Sequence, residues 1–132
     1  MKLNNIIFSS LLLLLGLSSC IENELPFDVI ESPVLAVFED MEADSAMIKI
    51  KATFYELDKS GILDKDVGID STAISGLPIG VFIQESTLIQ ELTTDADGVA
   101  IFEVTLDELG GNNRLEYVGN YKETPFRIYK KF

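Results

Sequence analysis

The sequence predicts an all-β fold, an antiparallel β-sandwich of about seven short strands. The clearest observation is an alternation of apolar and polar residues from Met47 to Glu56, which indicates a strand with one buried face and one solvated face. Clusters of Gly, Pro, Asp and Asn separate further short apolar stretches along the chain. Between these clusters no segment has a convincing amphipathic helical period, so sheet packing is the expected architecture.

The N-terminal residues 1–19 have the composition of an export signal. Lys2 supplies a positive charge, and Ile6 to Leu17 is apolar apart from small residues. A membrane-spanning helix needs about 20 apolar residues, so this stretch is too short to span. We therefore expect a signal peptide that is cleaved off.

The four residues Leu17-Ser18-Ser19-Cys20 resemble the lipobox of bacterial lipoproteins, and Cys20 is the only cysteine of the chain. The resemblance implies cleavage before Cys20 and acylation of its thiol and its new amine by palmitate-type chains. Each buried methylene contributes roughly 0.8 kcal/mol, so two or three chains would hold the protein on a membrane. An ordinary signal peptide that leaves an incidental thiol is the alternative, although a lone exposed cysteine is a liability in an oxidising compartment.

Residues 20–32 are acidic, contain a proline and lack any period, which predicts a tether. Glu22 and Glu24 resemble, in part, the signals that send some Gram-negative lipoproteins to the outer face of the outer membrane. The expected location is therefore the outer membrane, facing the exterior. A periplasmic orientation and a plain solvated linker are the alternatives.

The charge of the remaining chain restricts its partners. Removal of residues 1–19 takes away one basic residue, Lys2, and leaves 113 residues with nine basic and 22 acidic groups, a formal charge of −13. This balance argues against nucleic acid and against electrostatic attachment to anionic lipid. It favours cationic partners or divalent cations.

In the first half of the domain, Pro33–Glu39 is predicted as an edge strand and Met47–Glu56 as a central strand, with a polar turn at Asp40–Asp44. Leu57–Leu77 has no clear period and is predicted as a long solvated loop. Its four aspartates are weak candidates for calcium, which prefers clustered carboxylates: Asp58, Asp64, Asp66 and Asp70. Their spacing does not match an EF-hand loop, and no other cofactor is expected.

In the second half, Ile79–Gln84 and Thr87–Leu92 are predicted to form a hairpin across Glu85-Ser86. Thr93–Gly98 is a turn in which Gly98 can adopt a positive φ. The remaining predicted elements are a strand at Val99–Thr105 with Ala100, Phe102 and Val104 inward, a turn at Asp107–Asn113, and strands at Arg114–Val118 and Thr124–Lys131.

Two segments, Gly76–Val81 and Thr94–Phe102, resemble the repeating pattern of bacterial immunoglobulin-like domains of the intimin and invasin type. They are similar also to transthyretin-like domains. The resemblance implies an Ig-like β-sandwich over residues 33–132. Such domains are mostly spacers, adhesive modules or assembly parts, and they share no binding residues that could be assigned here.

The residue types argue against catalysis. The chain contains no histidine, which excludes Ser-His-Asp and Cys-His catalysis and histidine-containing zinc sites. Cys20 is assigned to the anchor, and no Gly-rich phosphate loop is present. A glycosidase-like carboxylate pair is arithmetically possible, but solvated surface charge is the expected role of the acidic residues.

A binding surface is predicted near the C-terminus, where basic residues concentrate: Arg114, Lys122, Arg127, Lys130 and Lys131. In the last strand Phe126 and Ile128 should point inward, and the opposite face carries basic and aromatic side chains of the kind that anchor interfaces. The candidate residues are Tyr117, Tyr121, Arg127, Tyr129 and Lys131. Alternatively, the basic residues protect an edge strand from aggregation.

These observations lead to one functional expectation and one alternative. The expected function is a lipid-anchored, non-catalytic envelope protein, a surface-exposed binding or adhesive module for a protein or a glycan. The alternative is an accessory subunit of an envelope assembly that docks through its edge strands.

Overall fold

Eight β-strands and one short helix form the domain. The computed structural model describes residues 31–132, which make up one compact unit. The elements are β1 Leu35–Met41, β2 Met47–Gly61, β3 Gly68–Ala73, β4 Pro78–Ile83, β5 Thr87–Thr93, β6 Val99–Thr105, α1 Leu106–Leu109, β7 Arg114–Tyr121 and β8 Thr124–Lys131. The strands form two antiparallel sheets, so the predicted all-β sandwich is confirmed.

The first sheet is organised around β2, its longest strand. Strand β1 pairs with one edge of β2, whereas β6 and β3 share the other edge. The partner changes at Phe54, whose N–H donates to the Gly98 carbonyl and whose carbonyl accepts the Ile74 N–H, both at 2.9 Å. Gly98 has a φ of 76°, and a Cβ there would lie 2.7 Å from the Phe54 carbonyl oxygen. Glycine is therefore required where the two edge strands meet.

The second sheet has the strand order β5-β4-β7-β8. Its two hairpins turn at Gln84-Glu85 and at Lys122-Glu123, where all four residues have positive φ. Lys122-Glu123 is a two-residue loop between the paired Tyr121 and Thr124, and positive φ at both of its residues is the conformation of a type I′ turn. The β4–β5 loop has a third residue, Ser86, before Thr87 pairs with Ile83. These turns fix the register of both hairpins.

Aromatic side chains from both sheets meet in the core. The ring of Tyr117 lies 4.9 Å from the ring of Phe38, 6.3 Å from that of Phe54 and 6.4 Å from that of Phe102, measured between centroids. Ala100, Phe102 and Val104 are buried, as the alternation of β6 predicted. Tilted aromatic pairs of this kind add stability beyond their buried area.

The segment predicted as a long loop, Leu57–Leu77, is largely strand. β2 continues to Gly61, and β3 pairs with it antiparallel, so that Asp58 lies opposite Asp70. We call residues 58–70 the arm. The strand residues of the arm are mostly exposed on both faces, so their sequence carries no alternation to read.

The predicted turn at Asp107–Asn113 contains helix α1, a single turn that the sequence prediction missed. Thr105 and Glu108 form a capping box, in which the Thr105 hydroxyl accepts the Glu108 N–H and the Glu108 carboxylate accepts the Thr105 N–H. The side chain of Leu109, the last residue of this helix, is buried in the core. A single capped turn is too short to show a helical period in the sequence.

The sandwich has two distinguishable ends. At one, which we call the entry end, the Glu31 carboxylate forms an ion pair with Lys59 at the base of the arm. At the other, the far end, lie α1, the β4–β5 turn and Arg114, the first residue of β7. The predicted signal peptide 1–19, the lipidation site Cys20 and most of the tether 20–32 lie outside the described residues. Within residues 31–132 no helix is long and apolar enough to cross a membrane.

Candidate binding surface on the outer face of the second sheet

Alternating residues on β4, β7 and β8, together with Leu88 of β5 opposite Phe82, form a surface on the outer face of the second sheet. Phe82 lies opposite Glu116, and Glu116 lies opposite Tyr129. Directly opposed residues in an antiparallel pair project to the same side of the sheet. We call this surface the basic face, and it consists of Phe82, Leu88, Arg114, Glu116, Arg127, Tyr129 and Lys131.

Glu116 is the centre of the basic face and is fully buried, although it lies on the outer side of the sheet. Arg114 Nη2 donates to its Oε1 at 3.1 Å, and the Glu85 N–H donates to the same oxygen at 3.3 Å. Arg127 Nη1 donates to the other oxygen, Oε2. Both carboxylate oxygens are therefore satisfied, as a buried charge requires.

The protonation of Glu116 follows from two opposing influences. Burial raises its pKa, but the hydrogen bonds from Arg127 and then Arg114 outweigh burial, so that the pKa lies below its ordinary value. Glu116 is consequently a carboxylate at neutral pH. Its role is to hold two guanidinium groups in fixed positions.

The two arginines also face solvent. The exposed fraction of the side chain is 42% for Arg114 and 38% for Arg127. Arg114 also stacks on Tyr129, with its guanidinium carbon 4.7 Å from the ring centre. Each guanidinium carries five N–H donors, and among the described residues only one nitrogen of each donates to a protein acceptor. The outward donors of both arginines can therefore bind an acidic group from solvent.

Apolar side chains lie beside the arginines. Phe82 is half-buried, and Leu88 and Tyr129 are 47% and 49% exposed. Gly80 makes room for them, because a Cβ at Gly80 would lie 2.7 Å from the Phe82 ring. The face thus offers an apolar area next to two fixed cations.

An open depression of about 320 Å³ adjoins the face at the far end. Arg114 and Lys131 line it together with three amide side chains, those of Gln84, Asn112 and Asn113. Gln84 Nε2 donates to Asn112 Oδ1 at 3.3 Å. The depression adds polar donors and acceptors to the charged and apolar groups of the face.

Three of the five predicted site residues come together here: Arg127, Tyr129 and Lys131. Tyr121 does not join them, since its hydroxyl donates to Glu56 Oε2 at 2.7 Å and so links the two sheets. Lys122 contacts the same carboxylate. Lys130 likewise connects the sheets through Asp40, with Nζ 3.0 Å from Oδ1.

The prediction that Tyr117 belongs to a surface patch is wrong. Tyr117 is on the inward side of β7 and is fully buried among the core aromatic residues. Its hydroxyl has no hydrogen-bond partner among the described residues. Burial, and secondarily the charge of Asp40, raise the pKa of this hydroxyl. The predicted inward positions of Phe126 and Ile128 agree with the structure, where Phe126 is buried and Ile128 half-buried.

Sequence reasoning missed Glu116 and Phe82 as parts of the site, and it counted Arg114 in the basic C-terminal region without making it a candidate site residue. The order Arg114-Leu115-Glu116 places an acid and a base on one side of a strand, which was the available signal. The pairing of Phe82 with Glu116 depends on the β4–β7 register, and no short-range pattern encodes that register.

The four calcium candidates do not form a site. Asp58 and Asp70 lie opposite each other on the arm, and Asp64 Oδ1 accepts the Asp66 N–H at 2.9 Å. Within residues 31–132, no three acidic, histidine or cysteine side chains are grouped so as to hold a metal ion.

Comparison of the chain with protein-family models, with curated proteins and with solved structures yields no match.

Proposed function

We propose that this protein is a lipid-anchored, non-catalytic binding module of the cell envelope, which captures an acidic segment of a partner protein on the basic face. The observation that carries the proposal is the pair of arginines held by the buried Glu116 on a domain that is otherwise strongly acidic. The lipid anchor of the proposal depends on Cys20 and the sequence before it.

The arginines are prepared for binding before any partner arrives. A free arginine loses side-chain entropy when it is immobilised, and that loss weakens association. Glu116 and Tyr129 already restrict Arg114, and Glu116 restricts Arg127. A carboxylate partner therefore meets donors that are already oriented.

The charge distribution favours an acidic partner at this surface alone. The basic face carries three of the nine basic residues outside residues 1–19, Arg114, Arg127 and Lys131, and Glu116 lies between the two arginines. Elsewhere the domain repels acidic molecules, so electrostatic steering directs them to the basic face. The exposed apolar area of Leu88, Phe82 and Tyr129 suits a protein segment that mixes acidic and apolar side chains.

The position of the face fits an anchored module. The chain enters the sandwich at Glu31, whereas the depression beside Arg114 and Lys131 lies at the far end. An anchor on the N-terminal side of Glu31 would leave the far end accessible to partners.

A display library of acidic peptides, screened against the chain without residues 1–19, tests the proposal. A peptide so selected should bind about tenfold more weakly to Lys131→Glu, a loss of about 1.4 kcal/mol, and more weakly still at high salt. Tyr129→Ala should also weaken it. Lys65→Glu, on the arm, is the matched charge reversal and should bind like the parent chain. Binding that is equal in Lys131→Glu and Lys65→Glu would overturn the proposal, and selective binding of acidic polysaccharide would replace the protein partner with a glycan.

A second candidate function rests on the edge strand β1. Among the described strands β1 pairs only with β2, and its Leu35 and Val37 side chains are both 42% exposed. An accessory subunit could dock there by strand addition. Ala36 lies opposite Phe54, whose own backbone groups bond to Gly98 and Ile74, so the Ala36 N–H faces the open edge of β1. Replacement of Ala36 by proline would remove that donor and block such docking but leave peptide binding at the basic face intact, and that result distinguishes the two functions.

A further inference from the structure

The arm ends in the most exposed aliphatic side chains of the described residues. Leu63 is 99% exposed, Val67 65%, Ile62 55% and Ile69 51%. Monomeric proteins rarely display large apolar groups so close together unless they contact something. The turn that carries them is well formed, because the Asp64 carbonyl accepts the N–H groups of Val67 and Gly68. The tip is therefore a defined apolar surface.

The tip lies at the entry end of the sandwich. Lys59, near the start of the arm, forms an ion pair with Glu31, the first described residue. Leu63 follows Lys59 by only four residues. Tyr55 is the last residue of β2 that pairs with β1, and β2 continues for six more residues to Gly61. The end of β2 therefore lies roughly 20 Å beyond its last pairing with β1. The arm and the incoming chain thus share one end.

The chain length before Glu31 places a membrane within reach. Cys20 precedes Glu31 by 11 residues, and a chain of that length spans at most roughly 40 Å when fully extended. A lipid on Cys20 would therefore keep the entry end close to the bilayer surface. The tip of the arm is the apolar part of that end.

We infer that the arm is a second membrane contact, whose tip inserts Leu63 and its aliphatic neighbours into the interface of the bilayer and so orients the domain. The inference rests on the lipid anchor of the proposed function. Because the anchor already holds the domain at the surface, a weak interfacial contact is enough to select one orientation.

The composition of the tip favours lipid over a protein partner. Its large apolar residues are all aliphatic, whereas protein interfaces are enriched in Trp, Tyr and Arg at their centres. Residues 62–69 also carry Asp64 and Asp66 against a single Lys65. Anionic headgroups would repel this excess of acid, so the contact requires a zwitterionic surface.

Fluorescence quenching tests this inference directly, because the chain contains no tryptophan. The chain without residues 1–19 is coupled through Cys20 to a maleimide lipid in phosphatidylcholine vesicles that contain brominated lipid. Leu63→Trp should lose most of its fluorescence to the bromine atoms. The matched control is Leu106→Trp, an exposed leucine on α1 at the far end, which should keep its fluorescence.

Exchange of part of the phosphatidylcholine for phosphatidylglycerol should restore the fluorescence of Leu63→Trp at low salt, and added salt should reduce it again. Equal fluorescence of Leu63→Trp and Leu106→Trp in coupled phosphatidylcholine vesicles would overturn the inference. The coupling is chemical, so the result does not depend on lipidation in cells. A lack of lipid on Cys20 in cells would instead count against the proposed function, and mass spectrometry of the cellular protein measures it.

Discussion

The basic face and the tip of the arm both expose charged and apolar side chains, yet they are built in opposite ways. On the basic face the buried carboxylate of Glu116 accepts three hydrogen bonds, two of them from arginines. On the arm the Asp64 carboxylate accepts, among residues 31–132, only the backbone N–H of Asp66 in its own turn, and Leu63 is almost fully exposed. Exposure alone therefore does not tell which surface residues the fold depends on.

The largest expected difference concerns Arg127→Met. This change leaves the buried Glu116 with one arginine. Because Arg127 is 38% exposed, the loss should be smaller than for a fully buried ion pair, about 1–2 kcal/mol of the free energy of unfolding. Urea denaturation measures the loss. Lys65→Met, which removes an equal charge from the arm, should change the free energy of unfolding by less than about 0.5 kcal/mol. The double variant Glu116→Leu with Arg127→Met should be more stable than Arg127→Met alone. Equal losses of stability in the double variant and in Arg127→Met would show that the arginines do not stabilise Glu116.

The pH dependence of stability tests the role of Glu116 on the basic face. The pKa of Glu116 is lower in the folded state than its ordinary value of 4.5. Between these two pKa values the unfolded chain binds more protons, so stability falls as the pH drops below about 4.5. Glu116→Gln should be less stable at neutral pH and should lose less on acidification. Glu56, Glu108 and Asp58 on the arm also have lowered pKa values, so part of the acid sensitivity remains in the variant. Parallel curves for the two proteins would contradict this role of Glu116.

Backbone conformation gives a third, smaller contrast. Glu85, in the turn beside the basic face, has a φ of 64°, and Gly68 in the arm has a φ of 65°. Glu85→Gly keeps the N–H that Glu116 accepts and removes the strain of a left-handed side chain, so we expect a gain of about 0.5 kcal/mol. Gly68→Ala introduces that strain where no atom crowds the Cβ, and should cost about 1 kcal/mol. Thermal melts that show both changes with the same sign would refute the conformational argument.

The smallest expected effect is that of Leu63→Ser. Its side chain contributes nothing to the core, so the free energy of unfolding should stay within about 0.5 kcal/mol of the parent value. Leu115→Ser is the matched change at a fully buried leucine, and it should cost about 3 kcal/mol. A loss in Leu63→Ser comparable to that in Leu115→Ser would show that the tip packs against the domain.

The same contrast explains how far the sequence could be read. Strands β6 and β8 and the first ten residues of β2 alternate because one face of each meets the core, and these positions were predicted. The last five residues of β2 were predicted as loop. Strand β3 was not predicted, because its residues are almost all exposed and only backbone pairing defines it. Arg127, Tyr129 and Lys131 were readable from the alternation of one strand. These three residues lie beside Phe82 and Glu116, and Tyr117 is buried, because of the order of the strands in the sheet. Strand order is a long-range property that local sequence patterns do not show.

The opposite placement of the chain entry and the basic face has a mechanical consequence. A pull between Glu31 and a partner bound near Arg114 and Lys131 acts along the strands, because the entry and the face lie at opposite ends of the sandwich. In that direction the hydrogen bonds between β1 and β2 are sheared together instead of being opened one after another. The β1–β2 pair therefore resists tension that is applied along its strands better than tension applied across them.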